Sequence, residues 1–312
     1  MGKSRLKGNG TWIALVLLVA AASALYKTTF FSANNIFNVL RQSSMIGYIS
    51  VGMTCVILTG GIDLSVGATV ALTAVLAAML SNVNVVLAVM VPILVGICVG
   101  AVNGFVITKL KVVPFIATLA IQMAVRGIAY IITNIKSIPV NRDEKLFLAI
   151  GRGYLWKIPV PVVLFAVTVL VMILVTKKTS FGRSLFAIGG NESAALMMGM
   201  KVDRNKALAY ILTGGLSGLA GVVLCSRLGA GQPVAGNGWE MDAIAAVAIG
   251  GTLLSGGVGG VEKTVSGVLI TGLITNILNL QGNINTYVQN IINGVIVLIV
   301  IIIQRNMQSR EK

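Results

Sequence analysis

Long runs of apolar residues, separated by short polar connections, dominate the pattern along this chain. A helix that crosses the hydrocarbon core of a bilayer needs about 20 mostly apolar residues. Two short runs, Val66–Leu80 and Ala243–Leu254, are flanked by glycine-rich breaks. The pattern predicts an all-α polytopic membrane protein with about ten transmembrane helices, or about eight if these two runs do not cross. The longer runs are Trp12–Phe30, Val39–Leu58, Val85–Ile107, Phe115–Ile132, Val160–Val175, Ala207–Leu224, Val265–Leu280 and Val288–Ile303.

Composition supports this class and excludes others. Of the 312 residues, 56% are hydrophobic and only 11% are charged, whereas soluble domains carry about 25% charged residues. The net charge of +15 is spread over the short connections, while nucleic-acid binders concentrate basic residues on one face. The chain has no histidine, which excludes histidine proton relays, histidine metal sites and Ser-His-Asp triads. Its three cysteines lack metal-like spacing, so neither a metal site nor a disulfide framework is predicted.

The distribution of lysine and arginine predicts the orientation, because cytoplasmic loops carry the excess of these residues. A cytoplasmic N-terminus places 15 of the 24 basic residues on the cytoplasmic side and seven on the outer side. The other two lie within membrane spans. Both termini and the loop 177–206 are then cytoplasmic, and the loop 134–158 is periplasmic although it is basic. The first run is interpreted as a retained span. The alternative is a signal peptide cleaved near Ala24.

The glycine-rich stretch Ser255–Thr264 raises the question of a phosphate-binding loop. A Walker A loop follows the pattern G-x-x-x-x-G-K-[ST]. Aligned from Gly257, this chain has Glu262 where the second glycine is required, and a carboxylate there would repel phosphate. The run that follows is apolar nearly throughout. The sequence therefore predicts no nucleotide hydrolysis, and the stretch is interpreted as a flexible cytoplasmic connection between two helices.

A second glycine-rich break follows Leu58 and holds the only acidic residue among the first 142 positions, Asp63. A carboxylate among membrane spans must be paired, lie at a helix N-terminus or face water. We interpret Asp63 as a cap of the next helix; the alternative is a break that moves near a translocation path. The break contains Gly60, Gly61, Asp63, Leu64 and Ser65.

The letters Gly-Gly-x-x-Leu-Ser occur twice, at Gly60–Ser65 and at Gly250–Ser255. Each copy follows one apolar run and leads into another. Membrane transporters often contain two halves with broken helices at matching positions. A true internal repeat and a coincidence of a short motif both remain open.

The loop 177–206 contains the pattern of a short helix. Asn191 is a good N-cap, Glu192 suits the positive helix start, and Gly199 is suited to a left-handed helix ending. A two-turn helix is not stable alone. Its apolar residues Leu196–Met198 must therefore pack in a groove, either of this chain or of a partner.

Several polar residues interrupt the apolar runs. Such residues either line a polar path or join helices by hydrogen bonds. Arg126 has the further possibility of reaching the outer interface with its long side chain. The candidates for a path are Asn103, Gln122, Arg126, Asn276 and Asn279.

Four motifs together resemble the permease subunits of bacterial monosaccharide ABC importers: Thr59–Gly67, Phe181–Glu192, Gln232–Val247 and Ile249–Thr252. The resemblance extends from about Thr11 to the last helix. It implies a single transmembrane permease domain, residues 1–312, in the bacterial inner membrane, without enzymatic activity and with ribose as the first candidate sugar. It implies a second permease copy, a periplasmic sugar-binding protein and a cytoplasmic ATPase as partners. ATP and Mg²⁺ would bind to the ATPase, and this chain would bind no cofactor.

The resemblance also implies roles for particular residues. Glu240 and Asp242 match an outer-loop motif and are expected to contact the binding protein. The coupling segment that docks on the ATPase is matched only in part, because Ser193 interrupts its Glu-Ala-Ala run. No role follows for the motif around Asp63. The residues that match the coupling segment are Asn191, Glu192, Ala194, Ala195 and Gly199.

Two other functions compete with an ATP-driven importer. A self-sufficient secondary transporter needs ionisable groups within its spans, and Asp63 is the only clear candidate here. A scaffold or sensor subunit that transports nothing would be indifferent to the coupling segment.

Overall fold

The computed structural model describes residues 2–141 and 143–282, and near the C-terminus residues 288, 291, 292, 294–296, 298, 299 and 302. The helices are α1 Gly2–Phe30, α2 Ala33–Leu58, α3 Val66–Ser81, α4 Val85–Thr108, α5 Pro114–Thr133, α6 Lys145–Arg152, α7 Val160–Lys178, α8 Ser180–Gly190, α9 Glu192–Met197, α10 Val202–Leu228, α11 Trp239–Ile249 and α12 Val261–Leu280. Short strands β1 Ile138–Pro139 and β4 Ala230–Gly231 pair antiparallel, as do β2 Tyr154–Leu155 and β3 Ile158–Pro159.

The described helices confirm an all-α membrane protein. Five of them, α4, α5, α7, α10 and α12, are long and apolar enough to cross a membrane. Helix α1 holds a shorter apolar stretch and changes direction at Lys27, whose φ is 35°. Helix α2 has 26 residues, and its residues 43–58 are buried, so the polar residues of that part are shielded from lipid. Of the 16 residues of the predicted span Val288–Ile303, seven lie outside the described residues.

Both short apolar runs contain helices. Helix α3 matches the run Val66–Leu80 and has 16 residues. Helix α11 begins before the run Ala243–Leu254 and ends at Ile249, because Gly250 and Gly251 stop it. The residues that follow form a loop that reaches α12.

Helix α10 lies at the centre of the bundle, against α2, α3 and α4. Small residues allow its backbone to approach α4 closely. A Cβ at Gly100 would collide with the carbonyl oxygen of Tyr210, and one at Gly214 would collide with that of Gly96. Membrane helices gain much of their packing energy through such close contacts.

Helices α2 and α11 end in the same way. Gly60 after α2 has a φ of 77°, and Gly251 after α11 has a φ of 92°. In each case the next residue donates a backbone hydrogen bond of 3.2 Å to the carbonyl five positions back, which is a Schellman cap. By their position in the caps, Gly60 corresponds to Gly251. The repeated sequence motif instead aligns Gly60 with Gly250, so the two correspondences differ by one residue. The shared feature is thus a helix ending, and the two copies do not match residue by residue.

The loop 134–158 is folded against the end of α10. The Ser226 hydroxyl donates to the carbonyl of Phe147 at 2.6 Å and accepts from the amide of Gly151 at 2.7 Å. Strand β1 from this loop pairs with β4, which follows α10. The loop 134–158 and the segment 229–238 therefore share one end of the bundle.

The loop 177–206 is mostly helical, and α8 within it was not predicted. The Thr179 side chain accepts from the amide of Gly182 at 3.2 Å and caps its start. Helix α8 contains three glycines, each of which disfavours a helix by about 1 kcal/mol relative to alanine. Those glycines hid the helix from the sequence pattern.

Candidate functional site

Helix α9 is capped at both ends, as the sequence predicts. The Asn191 side chain accepts from the amide of Ala194 at 2.9 Å. At the other end Gly199 has a φ of 77°, and the amide of Met200 donates to the carbonyl of Ala195 at 3.1 Å. These bonds satisfy groups that a helix end otherwise leaves open. Local sequence therefore shapes a helix too short to be stable alone.

One face of α9 packs on the chain, and the other is exposed. Ala195 is fully buried against Ile188 and Val202. The side chains beside it are the opposite: Leu196 is 64% exposed, Met197 82% and Met198 66%. Self-packing thus accounts for Ala195 only. Adjacent large apolar residues on a surface indicate an interaction site.

A cavity of about 440 Å³ lies beside α9 and includes Leu196 and Met200 in its wall. Its charged residues are mostly basic. The two acidic ones are paired, Glu192 with Lys206 at 2.6 Å and Asp203 with Lys111 at 2.9 Å. The remaining charged residues of the wall, all basic, are Lys109, Lys201 and Arg204.

Asp63 lies buried at the start of α3, with 1% of its surface exposed. Its Oδ1 accepts from the Ser65 amide at 2.9 Å and from the Ser65 hydroxyl at 2.6 Å. The Asn103 side-chain amide donates to the Ser65 hydroxyl at 2.8 Å and to the same Oδ1 at 3.4 Å. The positive end of the α3 dipole further stabilises the carboxylate. Asp63 therefore closes the turn before α3, while Ser65, the residue directly before the helix, makes no side-chain cap bond to it.

Further polar groups surround this break. The Leu64 amide donates to the Thr118 hydroxyl at 3.1 Å, which ties the break to α5. A Cβ at Gly61 would collide with the hydroxyl of Tyr210. That hydroxyl and the Asn103 side-chain oxygen are buried, and neither has a hydrogen-bond partner among the described residues. The break cluster, as we call it, consists of Asp63, Ser65, Asn103, Thr118 and Tyr210.

A polar face of α5 continues from the break cluster. Thr118, Gln122 and Arg126 are spaced by four residues, which places them on one face. Gln122 donates to the Glu240 carboxylate at 3.2 Å. Arg126 is partly buried and donates to the carbonyls of Pro233 at 2.9 Å and Ala235 at 2.6 Å. This face therefore binds the segment that enters α11.

The other two path candidates lie elsewhere. Asn276 exchanges hydrogen bonds of 2.7 and 3.2 Å with Asn35. Asn276 therefore joins α12 to α2 by hydrogen bonds, which is the alternative to lining a polar path. Asn279 is exposed near the end of α12. The structure thus brings Asn103, Gln122 and Arg126 together and separates both C-terminal asparagines from them.

Glu240 is not placed to contact a soluble partner, contrary to the expectation from the resemblance. It is 7% exposed and holds Gln122, and a Cβ at Gly67 would collide with its carboxylate. Its position near the start of α3 places a second carboxylate at that helix N-terminus, where negative charge is favoured. Asp242, one turn along α11, is partly exposed.

Sequence reasoning missed two residues of the break cluster. Thr118 shares the four-residue spacing with Gln122 and Arg126, so the pattern contained a signal for it. Tyr210 gave none, because only the fold brings it beside Gly61. Within the described ranges, no group of acidic or cysteine side chains is arranged to hold a metal ion.

Known proteins resemble this chain over nearly its whole length. The family described as the branched-chain amino acid transport system permease component matches residues 35–303. The ribose import permease of Bacillus subtilis (strain 168) is 45% identical, over 96% of this chain and 93% of that protein. The ribose import permease of Escherichia coli (strain K12) is 40% identical, over 98% and 96% respectively. The L-arabinose transport system permease of the same strain is 36% identical, over 93% and 88%.

No solved structure matches the chain. The family match covers most of the sequence, from α2 into the last predicted span. Each of the three relatives is matched over more than nine-tenths of the chain. The chain therefore belongs to the permease-component family of branched-chain amino acid transport systems.

Proposed function

We propose that this chain is the membrane-spanning permease subunit of an ATP-driven importer, which moves a monosaccharide from a periplasmic binding protein into the cytoplasm. The names of its relatives support a pentose, and ribose comes first because the ribose permeases are the more similar. The chain itself is not an enzyme in this proposal and binds no cofactor. A separate ATPase binds ATP and Mg²⁺ and hydrolyses the nucleotide.

The exposed apolar face of α9 is the observation that carries this proposal. Leu196, Met197 and Met198 project from a helix fixed by its own caps. Short helices with such a face bind grooves on partner proteins. The wall of the adjacent cavity is mostly basic, so a partner that binds there needs acidic residues. The partner surface should have an apolar floor and an acidic rim.

The arrangement in the membrane follows from the same proposal. Helix α9 and both termini lie on the cytoplasmic side of the bacterial inner membrane, and the folded loop 134–158 lies on the periplasmic side. The chain then has about ten spans, if the segment 229–249 crosses the membrane once as a broken span. Two copies of the chain form the importer.

Within the membrane, the proposed sugar path runs beside the polar face of α5 and the break cluster, whose hydrogen-bonding groups are largely buried in this structure. Gln122 and Asn103 are neutral amides, which donate and accept. The spare Tyr210 hydroxyl and Asn103 oxygen add capacity. A weak path suffices here, because the binding protein captures the sugar before it reaches the permease.

A secondary transporter driven by an ion gradient is the alternative. It needs a carboxylate that exchanges its ion during transport. Asp63 is committed to Ser65 and to the start of α3, and Glu240 holds Gln122. Both groups have structural partners, so this alternative is the weaker one.

Affinity purification of the tagged protein from native membranes, with mass spectrometry of the co-purifying chains, tests the proposal. We expect a stoichiometric ATPase with the wild type and at least a tenfold loss of it in Met197→Asp. Leu155→Asp is the matched control, since Leu155 is similarly exposed, at 58%, on the loop 134–158. A preparation without any ATPase, still able to move sugar without ATP, would contradict the proposal.

A further inference from the structure

Three segments meet backbone to backbone at the end of α8. The carbonyl of Leu58, the last residue of α2, accepts from the amide of Gly257 at 3.0 Å. A Cβ at Gly189 would collide with that carbonyl oxygen and with the nitrogen of Gly257. A Cβ at Gly256 would lie 2.8 Å from the nitrogen of Gly60 and 3.1 Å from the Cα of Gly189. We call these five residues, Leu58, Gly60, Gly189, Gly256 and Gly257, the glycine junction.

The loop 250–260 is more structured than the flexible connection that its sequence suggests. The Gly256 amide donates to the carbonyl of Leu253 at 3.0 Å, and the Leu253 amide donates to that of Val258 at 2.9 Å. The Thr252 hydroxyl accepts from the amide of Gly260 at 3.3 Å. The loop therefore presents a defined backbone surface to α2 and α8.

Each arm of the glycine junction leads to a different part of the molecule. Gly189 is followed within two residues by Asn191, the cap of α9. Gly60 is followed within three residues by Asp63, which bonds to Ser65 directly before α3. Gly257 belongs to the loop that begins α12. The junction thus connects the segment before the exposed helix α9 with the segment before the buried polar residues around Asp63.

The contacts have no side chains between them. A side chain can change rotamer and absorb a displacement, whereas closely packed backbones pass it on. Glycine inside a helix costs about 0.5–1 kcal/mol relative to alanine, and α8 accepts that cost at Gly189, where alanine would not fit. Gly190, the next residue, has no atom within 4 Å of the position of a Cβ.

We propose that the glycine junction transmits the movement of α9 to the break between α2 and α3, with Gly189 as its positioning residue. This inference rests on the proposed function, because an ATPase must move α9. Displacement of the end of α8 shifts the carbonyl of Leu58 and the loop 250–260 together. The shift then reaches Asp63 and the start of α3, beside the polar face of α5.

The test compares Gly189→Ala with Gly190→Ala in the purified complex, reconstituted with its binding protein. ATP hydrolysis and uptake of labelled ribose are measured on the same vesicles. We expect Gly190→Ala to match the wild type. In Gly189→Ala the ATPase should remain bound and active, while sugar moved per ATP hydrolysed falls at least tenfold.

Gly151→Ala controls for a purely structural effect. A Cβ at Gly151 would collide with the backbone nitrogen of Arg227, at the other end of the bundle. A structural role alone would make Gly189→Ala resemble Gly151→Ala, with less complex recovered but unchanged sugar per ATP, and that result would overturn the inference. Absence of an ATPase from the wild-type preparation would instead overturn the proposed function, and the inference with it.

A second measurement covers the case in which Gly189→Ala does not assemble. Ser255 is exposed beside the glycine junction, so Ser255→Cys can be labelled with a maleimide in the assembled complex. Its labelling rate should change at least threefold when vanadate traps ADP in the ATPase after ATP hydrolysis. An equal rate in both states would overturn the inference.

Discussion

A single carboxylate, Asp63, shows how a costly residue becomes part of the fold. Its Oδ1 accepts hydrogen bonds from the Ser65 amide, the Ser65 hydroxyl and, more weakly, Asn103. These bonds and the helix dipole offset the loss of hydration. The same bonds hold Ser65 directly before α3, and its carbonyl accepts the hydrogen bond of the first helical turn, from the Thr69 amide at 2.9 Å.

Substitution of Asp63 separates its hydrogen bonds from its charge. Asp63→Ala leaves buried donors of Ser65 and Asn103 without their acceptor, at a cost of about 1–3 kcal/mol. Asp63→Asn keeps one acceptor oxygen in place. We expect a lower melting temperature in detergent for the alanine variant, by about 2–4 °C for each kcal/mol. The asparagine variant should lie between it and the wild type, and equal melting temperatures for all three would show that the cap contributes nothing.

For single residues, the sequence predicts roles that depend on nearby positions in the chain, but not roles that depend on contacts with distant helices. Asp63 and Asn191 are recognisable because capping depends on residues two or three positions away. Asn276 resembles Asn103 in sequence context. Asn276, however, bonds to Asn35 of α2, whereas Asn103 bonds to Ser65 in the break cluster. Only the packing of α12 and α4 against other helices distinguishes them. Burial of Glu240 by Gly67 is likewise a long-range effect.

Helix α9 is the element whose shape depends most on its ends. Gly199 adopts a φ of 77°, and no atom would lie within 4 Å of a Cβ there. A side chain at this position is therefore opposed by backbone strain alone, about 1–2 kcal/mol for ordinary residues. Asparagine tolerates this conformation better than valine does.

Gly199→Val and Gly199→Asn form a matched pair on this basis. We expect the valine variant to reach the membrane in normal amount and to lose at least fivefold in ATP-driven uptake. The asparagine variant should retain more than half of wild-type uptake. Uptake measurements in cells, normalised to the permease detected by immunoblot, decide between them. Equal uptake in both variants would remove the role of the left-handed cap.

Elements that obey a simple pattern were predicted well, and those stabilised by tertiary contacts were not. The cores of α4, α5, α7 and α12 follow from their apolar runs. Helix α8 did not, because three of its residues are glycines, of which Gly189 serves close packing at the glycine junction and Gly182 serves close packing against Thr176. The same packing explains why the loop 250–260 is bonded to α2 instead of forming a loose connection.

For the whole molecule, the orientation in the membrane is the prediction to check next. Helix α9 and the loop 134–158 should label from opposite sides. Ser193→Cys and Trp156→Cys are suitable probes, since Ser193 is exposed and Trp156 is 95% exposed. Both belong in a Cys98→Ser background, because Cys98 is exposed whereas Cys55 and Cys225 are buried.

An impermeant maleimide added to intact spheroplasts should modify Trp156→Cys only. Ser193→Cys should react only after the membrane is opened. Such a result supports the proposed orientation, with α9 on the cytoplasmic side and the loop 134–158 on the periplasmic side. Labelling of Ser193→Cys from outside would reverse the proposed orientation and place α9 out of reach of any ATPase.

The central claim is that transport through this chain is driven by a partner ATPase bound at α9. The most direct measurement is uptake of labelled ribose into proteoliposomes that contain the purified complex and its binding protein. We expect accumulation that requires ATP on the side of α9 and is lost in Met197→Asp. Accumulation without ATP, driven by a proton or sodium gradient, would contradict the account and identify a secondary transporter.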